Sequence, residues 1–523
     1  MANLMANLAL DGGHIFRDII ELLGVVAQLG EHLTGSQEAT GSIPVNSTIF
    51  LCTSFECRGS PMPPVLCIFE DERYPNFLPL VLDRPVFELS IGTQSLRGRL
   101  VDELNPETVA LWCRPYLADA LRGEQPQEGG RPTVVNELPP GEVLFLNGRL
   151  LTYGGELKEL CADLKPECVL RKMGTIVAAR LSAERAASFK EYIDALISDE
   201  GVEKVIREVK RASSEASGDN GGEGGDGAQD ASRVKTLARW AQQSGVTLVE
   251  TGVRLISHHW QFIDENRSCI VDDFQKNPLR GTSPDTELFK GVELINESDI
   301  VIGSGVEVRS GTVLDASEGS IVIANNVRIE PNAIIYGPCA IGEDSIVRGG
   351  AKIGHGTSLG RQCRVGGEVE ACIVAPFSNK QHEGFIGHSY VGSWVNIGAG
   401  SSTSDLRNNY GLVKVWTAGR MRGTGRRFLG SIIGDHAKVA INSRLNTGTV
   451  VGFNANVLSA GFPPRFIPSF AWQLEPGFVR WDLDDAIKTA KVVLDRRNVP
   501  FSAAHERLFA TIYRLCKQSG NTI

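Results

Sequence analysis

Eight aliphatic residues between positions 323 and 365 recur at one strict interval: Ile323, Ile329, Ile335, Ile341, Val347, Ile353, Leu359 and Val365, with glycine after four of them. A period of six suits neither an amphipathic helix, at about 3.6, nor a lone strand, at about 2. It suits a solenoid in which each hexad is one short strand. The aliphatic side chain points inward, and the small residue after it lets the chain turn. The stretch therefore predicts a parallel β-helix. The hexads begin near Ile300. Between Leu314 and Ile323 the spacing is nine, which predicts one coil with a three-residue excursion. Phase is lost after Val365, returns at Val391 and Ile397, is lost again over 401–431, and resumes at Ile433, Val439, Leu445, Val451 and Val457. Insertions in a solenoid are pushed out as loops, and loops carry binding residues. The interruptions at 366–390 and 401–431 are thus the first places to look for chemistry.

A chain of 523 residues exceeds one ordinary core, so two or three domains are expected. Residues 1–61 read unlike the rest. The run from Val26 to Thr48 resembles a peptide produced when a transfer-RNA gene is translated, which would put the true start at Met62. The competing reading is a poorly ordered leader. Over 62–280 strands and helices alternate: apolar Val65–Phe69, then Val143–Leu146 and Thr175–Ala178, with helical spacing in Ala183–Leu196, Val202–Arg211 and Val234–Gln243. That pattern predicts an α/β layer fold. The glycine-rich stretch 212–231 cannot bury a core and reads as a flexible insert. The β-helix is expected over 288–465 and a helical tail over 466–523, with Asp482 and Ser502 as helix caps. The tail is expected to cover an end of the β-helix.

The formal net charge of -9 argues against nucleic acid or a membrane surface as the main partner. Eleven cysteines without regular spacing make no disulfide framework. No run approaches the roughly 18 apolar residues of a membrane span. A cytoplasmic setting follows as the expectation.

The first interruption holds Phe377-Ser-Asn-Lys380-Gln-His382-Glu-Gly-Phe385, followed by Val395-Asn396-Ile-Gly-Ala399-Gly400 and Asn408-Asn409-Tyr410. A histidine on a polar loop beside a lysine could act as a general base, since a free imidazole titrates near about 6.5. It could equally be a solvated loop residue. In the first half, Glu70-Asp71-Glu72-Arg73 stands after the first strand. Two readings stay open there. Arg73 and Arg84 hold phosphates while Asp71 or Asp273 holds magnesium, or these residues form surface salt links. His258 and His259 are adjacent, and adjacent residues on a strand face opposite ways, which argues against a metal pair.

His382 through Gly400 resembles the acetyltransferase signature of the bifunctional N-acetylglucosamine-1-phosphate uridyltransferase/glucosamine-1-phosphate N-acetyltransferase family. His382, Asn396 and Ala399 keep its spacing, and Asn409-Tyr410 match its Asn-Tyr pair after a short insertion. A longer pattern resembles an altered bacterial branch of that family: Gly366-Gly-Glu-Val, Ser378 to Phe385, Ile433-Gly-Asp-His436, Asn446-Thr-Gly-Thr449 and Gly461 to Phe470. Phe69-Glu-Asp, Leu78-Pro-Leu, Arg84-Pro-Val-Phe-Glu-Leu and Asn147-Gly-Arg149 extend it into the first half. The resemblance implies an α/β nucleotidyltransferase-like domain, a left-handed parallel β-helix and a C-terminal helical tail. It implies a transferase of sugar-nucleotide biosynthesis that moves acetyl from acetyl-CoA to glucosamine-1-phosphate. Uridylyl transfer to give UDP-N-acetylglucosamine, with Mg2+, is a further expectation, as is a homotrimer. In its terms His382 is the general base, and Asn396, Lys380 and Phe385 bind substrate. Ala399, Asn409 and Tyr410 meet acetyl-CoA, and Arg73, Arg84, Asn147 and Arg149 lie near nucleotide or phosphate. Three departures stand out. Phe385 replaces a tyrosine, acidic Glu370 replaces a basic residue, and the glycine-rich loop ending in Gly-Thr-Arg is absent. Two rivals remain: a sugar-phosphate nucleotidyltransferase whose β-helix is only a scaffold, and a non-catalytic sugar-nucleotide-binding trimer.

Overall fold

The computed structural model describes residues 63–124, 131–198, 236–281, 289–458, 461–474 and 477–520, with part of 202–211. The leader 1–61 and the insert 212–231 lie outside the described residues.

The first half is built on a seven-stranded sheet. Its strands are β1 (Val65–Phe69), β2 (Thr108–Trp112), β3 (Thr133–Val135), β4 (Val143–Asn147), β5 (Cys168–Lys172), β6 (Thr175–Leu181) and β7 (Thr247–Glu250), in the order β3-β2-β1-β4-β6-β5-β7. β1 lies between β2 and β4 in parallel register, and every residue of it is buried. A parallel strand covered on both faces needs this unbroken apolar run. Leu66 and Ile68 point to one side of the sheet, and Val65, Cys67 and Phe69 to the other, where helix α4 (Ala183–Ile197) packs Phe189 against Phe69 and Phe145. Helices α1 (Leu96–Leu104), α2 (Pro115–Glu124) and α3 (Glu156–Asp163) complete the layers. Helix α5 (Trp260–Lys276) carries the chain onto the solenoid, where Asn266 donates to Gly356 O at 2.8 Å and accepts from Ser358 Oγ at 3.1 Å.

The hexads form a three-sided parallel β-helix. Ile329 pairs with Val347, and Val347 with Val365, so one regular coil is 18 residues, or three hexads. All eight phased aliphatics are buried. The nine-residue step makes a coil of 21, seen where Leu314 pairs with Ile335. Beyond Val365 the expectation needs correction. Residues 366–390 are not an extruded loop. The strands continue, but the coils shorten: Val365 pairs with Lys380, 15 residues on, and Val374 with Val391, 17 on. The changed coil length moves the phase without breaking the stack. The second interruption is a true excursion. Val391 pairs with Ile433, and the 42-residue coil projects a hairpin, Lys414–Thr417 with Arg420–Gly423.

The three sheets of the solenoid start, in chain order, at Glu293–Ile295, Ile300–Ile302 and Glu307–Val308. The corner between the second and third is held in the left-handed backbone region at every coil from Asn326 to Asn454, with φ of 53 to 66° at Asn326, Asp344, Gln362, Phe377, Trp394, His436 and Asn454. Asparagine and aspartate accept this region most readily. Where aromatic residues occupy it, their rings stack. Phe377 and Trp394 lie 4.1 Å apart at 1°, and Trp394 faces His436 at 6.2 Å. His436 is buried, and burial pushes its imidazole well below its ordinary value, so it is a structural turn residue.

The tail does not simply cap the β-helix. Helix α6 (Leu483–Asp495) and helix α7 (Ala503–Gln518) start at Asp482 and Ser502, whose side chains accept from the first backbone N–H groups. Their apolar stripes bury Leu508, Phe509, Ile512 and Leu515 in the core shared by both halves. Phe509 meets His436, Phe453 and Phe470 of the solenoid, while Arg507 reaches Asp119 on α2 at 3.0 Å. The tail is therefore wedged between the halves.

Candidate active site

Lys380 sits at an interior hexad position, paired with Val365 and buried. An ammonium there survives only if its three protons find acceptors. They do: Nζ donates to Gly366 O at 2.8 Å, His382 O at 2.7 Å and Gly384 O at 2.6 Å. Burial pulls its pKa down to about 8. The glycines make room. Gly367 has φ +68° and Gly384 φ +121°, and a Cβ at either would collide with Lys380 Nζ or Ser401 O. Lys380 thus corrects one expectation. Instead of facing outward it grips the turn from inside, with its ammonium on three backbone carbonyls.

The turn that Lys380 holds presents His382. Its side chain is exposed, and its ring makes no hydrogen bond to the described residues. In the next coil Gly400 N donates to Glu383 O at 2.9 Å, which brings the Ala399–Gly400 corner beside the His382 corner. Asn396 is exposed on the third sheet one rung above Asn379, and Ala399 is half-buried. His382, Asn396 and Ala399 therefore share one edge of two adjacent coils. Phe385 is half-buried, and its backbone N–H donates to Ser402 Oγ at 3.1 Å. Asn409 and Tyr410 lie apart from this edge, on the excursion, with Tyr410 67% exposed.

One pair escaped the sequence. His388 Nδ1 lies 2.8 Å from Asp405 Oδ2, and the imidazole faces Phe428 at 5.3 Å. The partners are 17 residues apart, the length of the local coil, and no spacing rule signals that until the coil length is known.

The acidic residues of the first half behave differently. Asp71 is closed by Arg149, with Nη2 at 2.5 Å and Nε at 3.0 Å, and Asn147 Nδ2 donates to it at 2.8 Å. Burial works to raise the Asp71 carboxyl, but the Arg149 guanidinium and these hydrogen bonds hold it below the usual range. Asp273 accepts from Thr93 N at 2.8 Å and is paired with Arg99. Glu70 is paired with Arg114 at 2.8 Å. Arg84 bonds Asp435 and lies 3.3 Å from Ser393 Oγ, so it ties the halves together. Arg73 donates its backbone N–H to Asp71 at 3.1 Å. Asp71–Arg149, Asp273–Arg99 and Glu70–Arg114 are buried pairs, not surface links. No group of three metal-ligating side chains occurs among the described residues. Mg2+ does not fit at Asp71 and Asp273.

His258 and His259 do not form a metal pair. His258 stacks on Trp260 at 4.2 Å, and His259 is fully buried at the start of α5. Burial, with His258 beside it, pulls the His259 pKa down to about 3. The folded value lies below the unfolded one, so the stability His259 contributes is present at neutral pH and lost as pH falls through about 6.5 toward 3. Between pH 7 and pH 5 this loss is expected to reach about 2 kcal/mol. A His259→Phe variant should show an unfolding curve flatter by that amount over the same range. An unchanged slope would refute the assignment.

A cavity of about 360 Å³ opens between α2 and α7, lined by Tyr116, Asp119, Arg122, Asn136 and Arg507. The Arg507–Asp119 pair spans it, and none of the candidate catalytic, substrate, cofactor, phosphate or metal residues lines it.

Residues 66–277 match the family model for sugar nucleotidyl transferases, and residues 320–355 match that for bacterial transferase hexapeptide repeats. Across 454 residues the chain is 26% identical to the bifunctional protein GlmU of Synechococcus elongatus, spanning 78% of this chain and 94% of that protein. It is 30% identical over 159 residues to a bifunctional sugar-1-phosphate nucleotidylyltransferase/acetyltransferase of Sulfurisphaera tokodaii, spanning 26% and 40% of the two chains. Among solved structures, a UDP-N-acetylglucosamine acyltransferase from Campylobacter jejuni aligns with 14% identity and a TM-score of 0.24, over 42% of this chain and 87% of that one.

Proposed function

We propose that this chain, which belongs to the sugar nucleotidyl transferases that carry a hexapeptide-repeat β-helix and serve sugar-nucleotide biosynthesis, transfers acetyl from acetyl-CoA to the amine of glucosamine-1-phosphate, with His382 as general base. The observation that carries the reading is the edge shared by His382, Asn396 and Ala399, whose backbone is fixed from inside by Lys380. An imidazole held by its backbone, with its ring free, can meet a substrate amine without first breaking a protein hydrogen bond. His382 takes a proton from the amine, and the nitrogen attacks the thioester carbonyl. The carbon–sulfur bond breaks, and CoA leaves as the thiolate and is protonated. Asn396 orients the sugar phosphate, and Ala399, Asn409 and Tyr410 border the acetyl-CoA path. Backbone N–H groups of the turns stabilise the developing oxyanion.

Uridylyl transfer to give UDP-N-acetylglucosamine rests on the match over 66–277 and on the bifunctional relatives, without Asp71 or Asp273 as magnesium ligands. A homotrimer is supported by exposed large apolar side chains at Leu412, Ile441, Leu458 and Phe462, which need cover. A cytoplasmic setting is supported by the nine free, buried cysteines among the described residues. No described helix is long and apolar enough to cross a membrane.

The test is thiol release from acetyl-CoA by the full chain. Release is expected with glucosamine-1-phosphate and not with N-acetylglucosamine-1-phosphate, whose nitrogen is already acylated. Equal rates with both, or none with either, would remove the reading.

A further inference from the structure

The outward residues of the third sheet stack one per coil in register: Arg328, Ile346, Arg364, Asn379, Asn396 and Lys438. Neighbouring strands lie about 4.8 Å apart, so Arg364 stands two rungs, about 10 Å, below Asn396. The end of α6 approaches the same column from outside. Arg497 Nη2 donates to Asn379 Oδ1 at 2.7 Å, which places its guanidinium on the rung between Arg364 and Asn396. Arg496 precedes it on the same turn.

Two arginines at the lower part of the column have carboxylate neighbours: Arg328 lies 3.9 Å from Glu307, and Arg348, just past the Ile346 rung, pairs with Glu330 at 2.9 Å. Arg364, Arg496 and Arg497 have none among the described residues. They are also close enough to act on one another. Burial lowers the pKa of Arg364, and the charges of Arg496, Arg348 and Arg328 lower it further; burial lowers that of Arg497, and the charges of Arg364 and Arg496 lower it further. The C-terminal end of α6 offsets part of this repulsion for Arg496 and Arg497. It does nothing for Arg364, which comes from a different element. Three like charges converging from two elements, two of them half-buried, leave an electrostatic demand that the described side chains do not meet. Guanidinium forks meet such a demand best with a phosphate, through paired N–H···O bonds.

We propose that Arg364, Arg496 and Arg497 form a phosphate-binding site beside Asn396 that holds the phosphate of the sugar acceptor. The assignment of the ligand as the acceptor rests on the acetyl-transfer reading above. The anion site itself does not. Phosphate esters reach this enzyme from two sources, the sugar phosphate and the adenosine bisphosphate end of CoA. The three arginines grip the first, because they flank the rung next to Asn379 and Asn396, three residues from His382 on the same turn of chain.

Calorimetric titration of the full chain with pyrophosphate, glucosamine-1-phosphate and acetyl-CoA tests this. Arg364→Gln and Arg496→Gln are expected to weaken pyrophosphate and glucosamine-1-phosphate at least tenfold and to leave acetyl-CoA within twofold. Arg497→Lys, which keeps the charge and reduces the fork, should fall between. Unchanged pyrophosphate affinity in both glutamine variants would overturn the site. Weakened acetyl-CoA with unchanged glucosamine-1-phosphate would overturn its assignment to the acceptor. The two proposals fail separately. Arginine-dependent pyrophosphate binding without any thiol release would sink acetyl transfer and keep the site. Thiol release with a wild-type KM for glucosamine-1-phosphate in the arginine variants would do the reverse.

Discussion

His382→Ala is expected to lower kcat for acetyl transfer by about 10²–10⁴-fold, the usual contribution of a positioned general base. The expectation follows from how the residue is held. Lys380 binds the carbonyl oxygen of His382 and not its ring, so removing the imidazole leaves the turn and its three lysine hydrogen bonds in place. The melting temperature should barely move, because an exposed side chain away from caps and pairs usually changes stability by no more than about 0.5 kcal/mol. His388→Ala is the informative control. His388 is the other histidine close to this region, and its Asp405 partner gives it the look of a base with an orienting carboxylate. A rate loss confined to His388→Ala, with His382→Ala at wild-type speed, would move the chemistry to the opposite corner of the coil.

The second large effect concerns stability. Asp71→Asn is expected to destabilise the chain by about 3–5 kcal/mol, because it leaves the buried Arg149 guanidinium without its counter-charge. The double variant Asp71→Leu with Arg149→Met should recover most of that loss, since replacing both ions with apolar groups of similar size is often close to neutral. Chemical denaturation of the wild type, the single and the double variants decides the matter. If Asp71 were a free metal ligand, the single change would raise stability, because burial would no longer oppose a charge.

How much of this was legible in the residues depends on the element. The regular coils were fully legible. An 18-residue coil is three hexads, so the inward face repeats at the interval visible from Ile323 to Val365. Where coils shorten to 15 and 17 the stack persists, but the interval changes, and 366–390 reads as a broken repeat. Lys380 deepened that misreading. A charged residue at an inward position looks like loop until its three carbonyl partners are seen; two lie within the four residues that follow it and the third, Gly366, is 14 residues back in the preceding coil. The acidic run after β1 was ambiguous for a related reason. A carboxylate waiting for a metal and one closed by an arginine have the same letters. The arginines that close Asp71 and Asp273 sit 78 and 174 positions away. The tail's helices and caps were legible from their spacing. Its wedging between the halves was not, because an amphipathic stripe does not name its partner. The arginine cluster at Arg364, Arg496 and Arg497 was invisible for the same reason.

The most direct test is the identity of the product. The full chain is incubated with acetyl-CoA and glucosamine-1-phosphate, and both products are measured by mass spectrometry. The account predicts N-acetylglucosamine-1-phosphate and free CoA in equal amounts, both lost in His382→Ala. Free CoA without acetylated sugar, or acetylated sugar formed equally well by His382→Ala, would contradict it.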